Sequence, residues 1–447
     1  RPGPAASWRA AWRGATWRNT VHPARADAAP GARRLMALPF LAFMASSGLP
    51  IAYSLAPTRP MLVADVAEMT AAAAASSNML SSLANLLLLA TLYGTAGALL
   101  LRYPRSAALL LRRHWQQPAL LLLLLAGVLW SAYPAKVAMN FVHGTGVTLI
   151  ALAAALHYRD QPWRLVPQLA AVLGLNMALQ LAAVAVLPGY AIDWQQRWQG
   201  LTSHPNTLGA LALTTFWANA CVLVCLPQAR RRRWHLLFCL LGAAAALGAD
   251  SVTSKLCSAV SLLLLLLLRA WQRRAAGPRL YLGAVLLAVL GGGLYQLLKS
   301  ALPLDWLYDM LGRDSKLTGR AEVWQDAYRA IGAKPWLGWS FDDHAELIST
   351  AGMPYSSYHN GALDLAVNGG IAALALFALL LAGWARSYLH PDRQARALAP
   401  CSVAFTLAYL MHNQSEASFF APRGQMWVIF LTLLLLGACP RSAPERP

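Results

Sequence analysis

Charge is what this sequence has least of, and acidic charge least of all. Only 18 of the 447 residues are Asp or Glu, and all charged residues together make up 12%. Soluble domains carry about a quarter, so a water-soluble globular chain is excluded. Cysteine is also scarce. The six (Cys221, Cys225, Cys239, Cys257, Cys401, Cys439) lie in or beside apolar runs, with no Cys-x-x-Cys pair. They read as small packing residues and exclude a disulfide framework or cysteine-based metal site. There is no G-x-x-x-x-G-K-[ST] nucleotide loop and no periodic internal repeat. No basic stripe is interleaved with aromatics on a polar domain, so the net charge of +19 does not describe a nucleic-acid surface. The nearest approach to a metal-ligand set is Asp342, Asp343, His344 and Glu346. Those crowded positions fit a solvated turn better than a chelate, and no metal or other cofactor is expected.

What the chain has instead is hydrocarbon. Hydrophobic residues are 57% and mean hydropathy is +0.44. A run of about 18 apolar residues spans a bilayer. Spans are expected near 35–56, 78–101, 118–133, 137–157, 163–187, 206–226, 234–249, 253–270, 279–298, 361–384, 398–412 and 424–439. The fold class is thus an all-α polytopic membrane protein of about twelve transmembrane helices. A basic arm (1–34), with Asp27 its single acid, precedes helices one to nine (35–298). A large, partly helical loop (299–360) and helices ten to twelve (361–439) follow, then a short tail (440–447). The 35–56 span is too long for a cleaved signal peptide and lacks its flanks.

Loop charge tests this order. Basic residues gather on the cytoplasmic side of a membrane protein. With the N-terminus inside, every inside segment is basic, including Arg102 to Arg113, Arg230 to Arg233 and Arg269 to Arg279. The outside segments are poor in Lys and Arg. The alternation puts both termini in the cytoplasm and the large loop outside, and it accounts for most of the net charge.

Three outside segments carry the polar residues. The first links the fifth and sixth spans and holds Arg197, His204 and Asn206. Ser203 or Asn206 can cap the following helix, and Trp194 and Trp198 suit an interfacial belt. An arginine between those two tryptophans is also placed to hold a phosphate. The second is the turn 250–255. There Lys255 either snorkels or lines a polar cavity. The third is the large loop. Val323, Trp324, Ala327, Tyr328 and Ile331 recur at helical spacing, which predicts an amphipathic helix with this apolar face. A second short helix is predicted at 304–311. Thr318 would cap the amphipathic helix and Arg320 would lie in its first turn. A cation there opposes the helix dipole unless an anion is bound. Arg329 has a simpler partner in Asp326. At the far end of the loop His359 meets the apolar run that starts at Ala362, an imidazole at a polar-to-apolar boundary.

Three segments occur in order: Arg197-x6-His204-Pro205-Asn206-x2-Gly209, then Gly319-Arg320-x3-Trp324-x10-Pro335-x2-Gly338, then Tyr358-His359-Asn360 before Asn368-Gly369-Gly370-Ile371. This arrangement resembles the O-antigen ligase and polymerase superfamily of bacterial envelope glycosyltransferases. The resemblance covers roughly 200–400 in detail. It implies a metal-independent, inverting transfer of a polysaccharide from undecaprenyl diphosphate to a lipid A-core sugar. The site would face the periplasm, at the inner membrane of a Gram-negative bacterium. Carried onto this chain, the diphosphate falls to Arg197 and Arg320 and the transfer step to His359. His204, Asn206, Lys255, Trp324, Tyr358 and Asn360 are the accompanying substrate-binding candidates. Membrane lipids are expected partners; nucleic acid is not. A repeat-unit polymerase or a protein O-oligosaccharyltransferase would carry the same pattern. A lipid-linked glycan transporter would place charge inside its spans, and these spans are nearly charge-free at their centres.

Overall fold

The computed structural model describes residues 35–49, 79–202, 204–226, 231–273, 320–353, 357–389, 393–421 and 424–439. The expected basic arm, the span at 279–298, the short helix at 304–311, Thr318 and the C-terminal tail lie outside these residues. Among the described residues every regular element is helical, apart from one isolated β-bridge between Ile192 and Trp198.

The helices in chain order are α1 (Leu38–Ser46), α2 (Met79–Leu100), α3 (Pro104–Arg113), α4 (Gln116–Ala126), α5 (Pro134–Tyr158), α6 (Leu165–Val186), α7 (Pro205–Cys225), α8 (Arg232–Gly248) and α9 (Val252–Arg273). They continue with α10 (Arg320–Ala333), α11 (Ala345–Ala351), α12 (Gly361–Leu389), α13 (Arg393–His412) and α14 (Gln425–Gly437). Six helical stretches are long and apolar enough to cross a membrane: Leu83–Leu100, Pro134–Tyr158, Pro162–Val186, Pro205–Cys225, Val252–Ala270 and Gly361–Tyr388. Three shorter apolar helices accompany them, at Gln116–Leu129, Leu398–His412 and Gln425–Gly437. The expectation of twelve full spans is therefore met in length by six of the described helices. The predicted first span contributes only the nine-residue α1 among its described residues.

The bundle is built around α5, α7 and α14, whose residues are buried over most of their length. α5 packs on α2 and α14, α7 on α6, α8 and α9, and α9 on α13. α3 was not expected. It is a basic helix, and Arg113 at its end donates to the carbonyl of Ala438 at 2.8 Å. A cation is thus set on the last carbonyls of α14, where the helix dipole is negative.

Part of the large loop has a small core of its own. Ala327, Ala330, Leu347, Tyr358 and Val367 are buried together. The predicted amphipathic helix is α10, and Val323, Ala327 and Ile331 of its expected apolar face pack in this core, with Tyr328 the exception. Tyr328 is 62% exposed, and Ala330 takes the buried position. The predicted ion pair of Arg329 with Asp326 is present at 2.8 Å. The turn at 342–346 also departs from expectation. Asp342 and His344 are buried, not solvated. Asp342 accepts from the backbone N–H of Ala345 and from Ser131 Oγ, and Asp343 accepts from Asn140. The turn docks on the start of α5 and caps α11.

α12 is broken at Gly370, where φ is 63° and ψ is −162°. The groups released there bond to the loop 335–339. Ile371 N–H donates to Pro335 O and Ala372 N–H to Trp336 O, while Trp339 N–H donates to Val367 O. Buried backbone polar groups need partners, and loop and broken helix supply them to each other. A side chain at Gly370 would collide with the carbonyl of Trp336, and one at Gly338 with that of Val367.

Candidate active site

His359 lies in the turn that enters α12. Its φ of 50° is a left-handed conformation that a non-glycine residue holds only when its neighbours require it. They do so here. Ser357 Oγ accepts from the His359 N–H at 3.1 Å. Asn360 Oδ1 caps α12 by accepting from Ala362 and Leu363, and its Nδ2 donates to Gln414 O. Gly361 N–H donates to Asn413 O. Asp364, in the first turn of α12, accepts from the Tyr358 N–H at 2.7 Å and from Ser357 Oγ. His359 itself stays 45% exposed.

The second group comes from the start of α7. His204, not Asn206, is the N-cap, and Ser203 lies outside the described residues: the His204 Nδ1 accepts from the Asn206 N–H at 3.1 Å. Nδ1 is therefore unprotonated, and a proton on the neutral ring sits on Nε2. The loop partly desolvates the ring although an edge meets solvent. That desolvation holds the His204 pKa below its ordinary value, and the charge of Arg197 lowers it further. Asp193 organises the preceding loop. Its Oδ1 accepts from the N–H groups of Gln195 and Arg197, and its Oδ2 engages Nε and Nη2 of Arg197 at 2.9 and 2.8 Å. Trp194 projects outward, whereas Trp198 packs against the bundle beside Gly248.

Glu416 joins the two groups, and the sequence reading missed it. It follows α13 in the 413–421 loop. Its Oε1 accepts from Asn206 Nδ2 at 2.8 Å and its Oε2 lies 3.6 Å from His359 Nδ1. One carboxylate thus joins Asn206, 210 positions earlier, to His359, about 60 positions earlier. The signal was a single acid in a polar segment, His412 to Ser418, between two apolar runs. His204, Asn206, His359 and Glu416 open on one cavity of about 420 Å³, closed on other sides by Gly48 and Gln425. That volume falls in the range of small-molecule sites, about 300–1,000 Å³.

The other sequence candidates are placed differently. Tyr358 is fully buried against the His344 ring and belongs to the small core. Asn360 is a helix cap. Trp324 Nε1 donates to Tyr358 O at 3.0 Å and so ties α10 to the His359 turn. These three support the site from within the fold; none of them lines the cavity. Lys255 pairs with Asp250 at 2.7 Å, a partner that neither of its two readings named. Two residues earlier, Thr253 Oγ1 hydrogen-bonds Ser415 Oγ, next to Glu416. Arg320 opens α10; its side chain lies outside the described part of the structure. Among the described residues no group of three or more His, Cys, Asp and Glu side chains could hold a metal ion.

The fold and its apolar helices define a multi-pass, all-helical membrane protein. Part of its length is similar to proteins of known kind. Residues 236–378 match the model of a family described as O-Antigen ligase. An O-antigen ligase of Pseudomonas aeruginosa is 31% identical over 133 residues, which is 28% of this chain and 32% of that relative. The aligned stretch thus spans about a third of the curated relative's length. Over the matched segment the chain is similar to the O-antigen ligase family. That segment contains α10, the broken helix and His359; Arg197, His204, Asn206 and Glu416 lie outside it.

Proposed function

We propose that this chain transfers a glycan from undecaprenyl diphosphate to a sugar of a lipid A-core, at the periplasmic face of a Gram-negative inner membrane and without a metal ion. The observation that carries the reading is the convergence of His359, Glu416, His204 and Asn206 on one cavity, between the ends of apolar helices. The match to O-antigen ligases supports the reaction class. In the proposed step, the His359 imidazole takes the proton of the acceptor hydroxyl. The acceptor oxygen attacks the anomeric carbon of the donor as its bond to the diphosphate oxygen breaks, with inversion. Glu416 orients the His359 ring and meets the positive charge that develops on it. Arg197 and Arg320 neutralise the leaving diphosphate, for which guanidinium forks are suited. Asp193 engages two of the guanidinium nitrogens of Arg197 and so fixes its direction.

The test is reconstitution. Purified protein is given an undecaprenyl-diphosphate glycan and lipid A-core, with chelator present and no nucleotide. The expected product is the glycan-bearing lipid A-core, lost in His359→Ala while the thermal unfolding midpoint is kept. Near-normal product from that variant would sink the assignment of His359. Glycan polymers without lipid A-core product would point to the polymerase branch.

A further inference from the structure

We infer that the loop Pro335–Leu337 is an interfacial membrane anchor, with Trp336 and Leu337 seated in the headgroup–acyl boundary of a phospholipid bilayer. The inference is independent of the reaction the protein performs.

The first observation is a length mismatch. α12 runs from Gly361 to Leu389, roughly 43 Å at about 1.5 Å per residue. The hydrocarbon core of a bilayer is about 30 Å thick. The break at Gly370 divides the helix at a suitable place, because Gly370 to Leu389 is roughly 30 Å long. The nine residues before the break include Asp364 and Asn368, and from Ile371 to Ala385 every residue is apolar or glycine. The polar first stretch therefore stands above the hydrocarbon, and the bilayer boundary falls at Gly370.

The second observation is what sits at that level. The loop 335–339 is bonded to the backbone at the break, through Pro335 O and Trp336 O. It is held there rigidly, at the height of Ile371. Two of its side chains face outward, Trp336 at 72% exposed and Leu337 at 48%, and Ile371 of α12 at the same level is 47% exposed. This apolar patch continues down α12 to Leu379, which is 45% exposed and lies roughly 13 Å below the break. The lower stripe belongs to a helix apolar enough to span the membrane, so acyl chains cover it. The same lipid reaches the top of the stripe. A tryptophan at that level matches the residue type that concentrates at membrane–water interfaces. Such an anchor sets the height of α10, α11 and the His359 turn above the bilayer, since all share the small core packed on the start of α12.

The six native cysteines are buried, so an introduced cysteine can be labelled selectively. Trp336→Cys, Leu337→Cys, Tyr328→Cys and Leu379→Cys would each be spin-labelled in the full-length protein. They would be reconstituted in vesicles of phosphatidylethanolamine and phosphatidylglycerol. Power saturation with oxygen against a water-soluble nickel chelate then reads depth. Positions 336 and 337 are expected to favour oxygen over nickel, at a depth between aqueous 328 and buried-in-lipid 379. Depths equal to that of 328 would overturn the insertion. Depths equal to that of 379 would overturn the boundary placement. Leu337→Cys keeps the test decisive if Trp336→Cys does not fold. None of these readouts requires turnover, so a failed transfer assay leaves the inference standing.

Discussion

His359 carries a left-handed backbone that for most residues costs about 1–2 kcal/mol, and four neighbours hold it there. Strain retained at a partly exposed imidazole, with a carboxylate 3.6 Å away, is a common mark of a working residue. Under the proposed chemistry His359→Ala removes the base and lowers the transfer rate by about 10²–10⁴-fold. Glu416→Gln keeps the bond to Asn206 but removes the charge that supports the imidazolium. Its loss is expected near the lower end of that range, about 10²-fold, in kcat more than in KM. A rate within threefold of wild type would remove Glu416 from the mechanism. His204 makes a separate prediction about pH. Its folded pKa lies below the ordinary 6.5 through desolvation and Arg197, so the unfolded chain takes up the proton first on acidification. The cap contributes fully above the ordinary value of 6.5 and loses value as pH falls below it. His204→Asn retains a capping acceptor and should flatten the fall of the unfolding midpoint over that window. An unchanged slope would show that other groups dominate.

At the scale of elements, the joint between α12 and the loop 335–339 positions the site. Gly370 and Gly338 both have positive φ, and both face carbonyl oxygens that a Cβ would strike. Gly370→Ala is expected to destabilise the protein by about 1–3 kcal/mol, read as a lowered unfolding midpoint in detergent. An unchanged midpoint would mean that the helix break tolerates a side chain. The sequence carried the glycines and the loop as neighbouring oddities, but nothing in their spacing says that one carbonyl faces the other. α10 shows the same limit on a smaller scale. Helical periodicity identified the element, and the packing with Leu347, Tyr358 and Val367 then buried Ala330 and left Tyr328 exposed. The acidic turn looked solvated for want of a visible partner. Its partners Ser131 and Asn140 sit some 200 residues earlier.

On the scale of the whole molecule, alternating loop charge predicts that the two ends of the bundle face different compartments. Cysteines placed at Arg329, 70% exposed, and at Arg232 at the opposite end test this. A membrane-impermeant maleimide should label position 329 in spheroplasts, and position 232 only after permeabilisation. Equal labelling of both would refute the orientation.

By itself the sequence determined the class, the helical elements and most of their limits. Those follow from local physics: hydrocarbon content, the helical period and charge counted loop by loop. It also marked His359, His204 and Asn206, because polar residues at the ends of apolar runs stand out one at a time. Only the tertiary structure decided which of them share a cavity, that Glu416 links them, and that Tyr358 and Asn360 serve the fold. Those outcomes depend on contacts between segments far apart in the chain, and one carboxylate among 18 acids bears no local trace of the imidazole it will face.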